Sequence, residues 1–217
     1  MNTTSIFVEL VVIGLHSSIW IGLVILTFTG YQNLDPEKLF TLNLALPILA
    51  ITYILGILMD RASDVVLAVQ DDRLRSQNDF RGLPSFLSMR FYILSKSSDV
   101  YEQLEYTRSR LRIARASVLN FAFTTVAAAL FIWFQLGKVL TAESRVMVCL
   151  AAALVGALLT WISYQTWAVL SHTYTKNTIQ AYRVLLDEAE KDKAQAFKVL
   201  RDEAEKDKAQ TFKAEVV

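Results

Sequence analysis

The 217-residue chain has one cysteine, Cys149, two histidines, three prolines and seven glycines. A single cysteine excludes an intrachain disulfide, and its place inside an apolar run points to packing rather than to metal ligation. With two histidines and one cysteine, a zinc site or a histidine-based catalytic site lacks the residues it needs. No P-loop, dinucleotide fingerprint, HExxH or CxxC motif occurs, so no cofactor or metal is indicated and the chain reads as a non-enzyme. The N-terminal MNTTSIFVEL lacks the basic segment and small-residue cleavage site of a signal peptide, so the first apolar block reads as a retained span. An excess of one charge sign is missing too. The 22 basic and 21 acidic residues leave a net charge of +1, which suggests no nucleic-acid partner.

Apolar residues are abundant and come in blocks. They make up 53% of the chain, the mean hydropathy is +0.35, and four runs are long enough to cross the hydrocarbon core of a bilayer. These run from about Ile6 to Phe28, Leu39 to Met59, Val118 to Leu136 and Val146 to Leu170. The expected fold is therefore an all-α polytopic membrane protein with four transmembrane helices. Residues 1–59 would form a first hairpin, 60–117 a cytoplasmic helical region, 118–170 a second hairpin, and 171–217 a charged helical tail.

Orientation follows from YEQLEYTRSRLRIARASVLN, residues 101–120. Leu104, Leu111 and Val118 recur at heptad spacing, and Arg108, Arg112 and Arg115 share a stripe of the same helix. The arginines stop where the third apolar run begins, the positive-inside pattern that places them, and both termini, in the cytoplasm. Of the 22 basic residues, ten lie in 60–116 and nine in 171–217, leaving Lys38, Lys138 and Arg145 for the far side. An inner or plasma membrane is the expected location.

Between spans two and three, the chain breaks at Gly82 and Pro84 before an apolar patch that includes Phe86, Leu87, Phe91, Tyr92 and Leu94, interrupted by Arg90. The patch is too short to span, so it lies in the membrane interface or packs on cytoplasmic helices. The tail holds a tandem repeat, VLLDEAEKDKAQAFK (184–198) and VLRDEAEKDKAQTFK (199–213). Asp187 with Lys191 and Asp202 with Lys206 are favourable i,i+4 pairs, worth about 0.2–0.5 kcal/mol each. The apolar seam is thin, so a solvated helix and a weak oligomeric coiled coil both fit the repeat.

Several residues are candidates for function. Glu9 and His16 share one face of the first span, and ionisable groups within spans face bundle interiors or water-filled paths. Either a proton or cation route passes them, or Glu9 snorkels to the interface while His16 bonds a neighbouring helix. Asn43 and Asn120 either line such a path or bond between helices. Asp60 and Asp64, like charges four residues apart, require cations nearby. Arg61, Arg112 and Arg115 lie at the same depth, so a gate latch or a structural clamp between spans two and three is expected. Two small-residue stripes, Gly14, Ser18 and Gly22 on span one and Ala152, Gly156 and Thr160 on span four, allow close helix packing and suggest homo-oligomers.

The basic helix YTRSRLRIARA, the hairpin Val118 to Leu170 and the tail from Tyr174 make residues Asp99 to Leu185 similar in architecture to bacterial SLATT-type effectors. That resemblance implies a membrane pore acting in a defence or conflict system. The leading expectation is a homo-oligomeric pore or ion channel in the lipid bilayer. The alternative is a non-conducting scaffold that recruits a cytoplasmic protein partner through its loop and tail. A secondary transporter ranks third, since no inverted repeat is visible.

Overall fold

The computed structural model describes residues 3–33, 42–76 and 82–215. Among these the chain is helical with no strand, and its five α-helices are α1 (Thr3–Thr29), α2 (Leu42–Ser76), α3 (Phe86–Lys96), α4 (Ser98–Phe134) and α5 (Ala142–Glu215). Four of them, α1, α2, α4 and α5, contain segments long and apolar enough to cross a membrane. Helices meet that requirement because every backbone polar group is satisfied within the segment. Large apolar side chains such as Leu15, Leu46 and Leu154 are exposed on their outer faces, the surface a lipid solvent stabilises. Residues 34–41, with the first residues of the second apolar run, lie outside the described residues.

Two compact units are distinguished, residues 1–80 with 102–175 and residues 81–101 with 176–217. Packing therefore places both hairpins in one unit. Within it α1 and α2 cross in close contact. A Cβ on Gly14 would overlap the Thr52 carbonyl, and one on Gly56 would overlap the Leu10 carbonyl, so the two backbones touch only because both residues lack side chains. A small apolar core of Ile13, Met59 and Ala116, with Ile113 and Leu119 against it, joins α1, α2 and α4.

Polar contacts stitch α1 to α4 at successive depths: Ser109 to Glu9, Asn120 to Ser17 and Trp20, and Gln135 to the Thr27 carbonyl. Residue numbers rise together along both helices, so α1 and α4 run parallel. Gly30, at φ 80° beyond the end of α1, turns the chain while its N–H bonds the Leu26 carbonyl. Helix α5 returns antiparallel to α4. Gly156 faces the Thr125 side chain, and Arg145 donates to the Gly137 carbonyl at 2.8 Å while lying over the Trp133 ring. Trp161 is exposed, but Trp167 is fully buried, so the latter acts as packing rather than as an interfacial anchor.

The second unit contains α3. Gly82, at φ 73°, precedes it, and Ser85 caps it by accepting from the Ser88 N–H. Met89 and Ile93 are buried, while Leu87, Phe91 and Leu94 remain exposed. Tyr92 packs edge-on against Tyr182 at 5.2 Å and donates to the Leu185 carbonyl. The tail repeat lies on α5, where Lys191 and Asp187 form the expected i,i+4 pair at 3.5 Å, both exposed. The side chains of Asp202 and Lys206 lie outside the described residues.

Candidate functional site

The charged residues at one end of the first unit form a connected cluster. Arg112 emerges from α4 just before its apolar run and grips carboxylates on two other helices. Its Nη2 lies 2.6 Å from Asp60 on α2, and its Nε lies 3.2 Å from Glu9 on α1. Arg115, one turn on, donates to Asp60 at 3.2 Å and also to Asp64. Both arginines reach Asp60 and Arg115 also reaches Asp64, one turn further along α2, so two guanidinium groups face two carboxylates. The second carboxylate oxygen of Glu9 accepts from the Ser109 hydroxyl at 2.8 Å.

Burial decides the strength of this arrangement. The Glu9 side chain is 3% exposed and that of Arg115 is 9% exposed. A charge so withdrawn from water is tolerated only with partners, and removing one partner costs about 3–5 kcal/mol. Arg61 contributes differently. It lies 3.5 Å from Asp64 but is 78% exposed, so solvent screens the pair and its contribution is small. Of the five residues expected to pair here, Asp60, Asp64, Arg112 and Arg115 form the centre and Arg61 the rim.

The cluster walls a cavity of about 280 Å³ lined by Asp60, Asp64, Arg108, Leu111, Arg112, Arg115, Ser171 and Tyr174. Arg108 is half-exposed and pairs with Glu105 at 3.4 Å. Ser171 donates to Asp71 at 2.8 Å, which ties α5 to α2 beside the cavity.

No protein-family model, curated protein or solved structure matches this chain. The site therefore has to be read from its own chemistry.

The remaining candidates separate. Glu9 is held in the charged cluster by Arg112 and Ser109. Asn120 is fully buried and satisfied: its Oδ1 accepts from Ser17 at 3.0 Å and from the Trp20 indole at 3.2 Å, while its amide lies 3.4 Å from the Ile13 carbonyl. His16 is half-buried, packs edge-on against Phe121 at 4.4 Å, and has no hydrogen-bond partner among the described residues. The side chain of Asn43 lies outside the described residues.

The small-residue stripes are used within the chain. Gly14 meets α2, Ser18 donates to the Gly14 carbonyl, Gly156 meets Thr125, and Thr160 donates to the Gly156 carbonyl. Ala152 is half-buried. Gly22 has open space around it. No group of three or more potential metal ligands occurs among the described residues. Sequence reasoning missed Ser109, Ser171 and Tyr174 at the cavity and Ser17 and Trp20 around Asn120. Ser171 and Tyr174 follow the fourth apolar run directly, at the depth of Asp60 and Arg115, and that depth match was the available signal.

Proposed function

We propose that the chain is a subunit of a homo-oligomeric membrane channel whose cytoplasmic mouth is held by the Glu9, Asp60, Asp64, Arg112 and Arg115 cluster. The observation that carries the reading is His16. It sits near the middle of an apolar span, is half-exposed, and finds no hydrogen-bond partner among the described residues of its own chain. Polar groups at that depth require a partner or water, because lipid supplies neither. Glu9 and Asn120 have theirs within the chain. A path between copies supplies one for His16.

The face available for such copies is on α5. Its apolar segment is the least buried of the four, and Ala153 and Ala157 lie exposed among Leu150, Leu154 and Trp161. Small residues between large ones let a neighbouring helix approach. The cluster then acts as a latch, since its ion pairs join three helices at one end and any widening there must part them.

The test is ion flux through the full chain in liposomes, compared with His16→Ala and with a chain ending at Tyr182. Altered flux in His16→Ala supports a path past α1, and greater flux without the tail makes the repeat helix a restraint on opening. A folded protein that conducts nothing, and remains monomeric in bilayers, refutes the channel.

The scaffold reading is favoured by one observation. Leu87, Phe91 and Leu94 on α3 form an exposed apolar stripe at i, i+4 and i+7. That pattern suits a helical or membrane-surface partner. Loss of partner recruitment on Phe91→Ser, with flux unchanged, would separate this role from conduction.

A further inference from the structure

The cavity at the charged end of the bundle is more specific than a latch requires. Its walls come from three helices: Asp60 and Asp64 from α2, Arg108, Leu111, Arg112 and Arg115 from α4, Ser171 and Tyr174 from α5. Each of these residues lies within ten positions of the end of an apolar run in the sequence, about 1.5–15 Å of helix, which spans the headgroup region of one leaflet. A volume of about 280 Å³ is at the small end of ligand sites. It accommodates a headgroup rather than an acyl chain.

Charge selects among headgroups. Three arginines and two aspartates line the space, and with the ion-pair partners behind the wall, Glu9 on Arg112, Glu105 on Arg108 and Arg61 on Asp64, four cations stand against four carboxylates. A simple anion entering here would meet Asp60 and Asp64 as well as the arginines, and its charge would stay uncompensated. A zwitterion adds no net charge and meets both signs.

The donors and acceptors fit that distinction. Arg108 is 41% exposed at the cavity, with Glu105 3.4 Å from one terminal nitrogen only. Arg115 is buried, and its Nε–H has no acceptor among the described residues although both terminal nitrogens are engaged. A buried donor left in that state is costly, and a phosphate oxygen would satisfy it. Asp64 is 44% exposed, with Arg115 on Oδ1 and only the solvent-screened Arg61, at 3.5 Å, on Oδ2, so an ammonium group can take the place of Arg61 there.

The geometry points to a site for a phosphodiester that carries a primary ammonium, with the phosphate on Arg108 and Arg115 and the ammonium on Asp64. Phosphatidylethanolamine of the surrounding leaflet and soluble glycerophosphoethanolamine share that chemistry. The assignment concerns binding alone, so it stands whether or not the chain conducts.

The test uses the full chain in phosphatidylcholine nanodiscs. One arm adds phosphatidylethanolamine, a second adds phosphatidylglycerol, and a third adds soluble glycerophosphoethanolamine, with bound ligand counted by native mass spectrometry. Phosphatidylethanolamine or glycerophosphoethanolamine is expected to bind in preference to phosphatidylglycerol. The lipid arm alone binding makes the source the membrane, and comparable binding of the soluble compound makes it the aqueous phase.

Arg108→Ala removes a half-exposed side chain whose ion-pair partner among the described residues is Glu105, and should weaken binding about five- to tenfold. Asp64→Asn should abolish the preference for the ammonium-bearing ligand and favour phosphatidylglycerol, a change of selectivity that structural loosening does not produce. Stronger retention of phosphatidylglycerol by the wild type, binding in no arm, or unchanged binding in Arg108→Ala overturns the assignment.

Discussion

Replacing Arg112 by glutamine tests the charged cluster most directly. Arg112 is the only cation drawn to Glu9 within ion-pair distance among the described residues, at 3.2 Å, and the carboxylate is 3% exposed. Without it, Glu9 keeps one neutral hydrogen bond from Ser109. Asp60 fares better, since Arg115 remains 3.2 Å away. The loss is therefore concentrated on Glu9. At that separation, Coulomb attraction is roughly 5 kcal/mol for an effective dielectric of 20, and breaking buried pairs costs about 3–5 kcal/mol. The two figures agree in order.

The assay is reversible unfolding in mixed micelles titrated with a denaturing detergent, followed by tryptophan fluorescence. Arg112→Gln should cost about 3–5 kcal/mol, and Arg61→Gln, whose side chain is 78% exposed, less than about 1 kcal/mol. The decisive measurement is the double variant with Glu9→Gln. Once the buried carboxylate is neutral, loss of the guanidinium no longer strands a charge at that position. The double variant should therefore be more stable than the sum of the single changes predicts, by at least about 1 kcal/mol. Additivity to within about 0.5 kcal/mol would refute the argument that burial of Glu9 sets the cost.

Gly14→Ile should disrupt the α1 and α2 crossing, with a loss of about 3 kcal/mol or more because backbone must move, whereas Gly22→Ala, with nothing within 4 Å, should be neutral or stabilising by up to about 1 kcal/mol; the same unfolding assay compares them. Asn120→Leu leaves Ser17 and the Trp20 indole without their shared acceptor and should cost about 1–2 kcal/mol, read with a shift in tryptophan emission. Gly156→Ala should cost about 1–3 kcal/mol through overlap with Thr125, and Thr125→Gly in the same chain should restore part of it; no rescue would mean that α4 and α5 are not in contact there.

The fold was legible because hydropathy reports depth. Four apolar blocks and the arginines bordering one of them rank residues by distance from the ends of the apolar runs, and the charged cluster was found by that rule. Depth does not report azimuth. Glu9 and His16 lie on one face of α1, yet the structure gives Glu9 to Arg112 and Ser109 and leaves His16 against Phe121. Which of two residues on the same stripe finds a partner depends on helix crossing, and the crossing of α1 is set by the contact of Gly14 with Thr52 and of Gly56 with Leu10. That contact pairs residues about forty apart in sequence, and no local pattern encodes it.

The same limit applies to the small-residue stripes. Their spacing announces close packing but does not name the neighbour. Gly14 and Gly156 are filled from within the chain, so neither supports a contact between copies, and the case for an oligomer moves to groups the chain leaves unsatisfied. Among the polar candidates at membrane depth whose side chains are described, Asn120 and Glu9 are bonded across helices and His16 is not. A buried, bonded polar residue is explained by the bundle it holds together. An imidazole at mid-span that is half-exposed and unbonded among the described residues is not explained by that bundle, and the proposed channel rests on this difference.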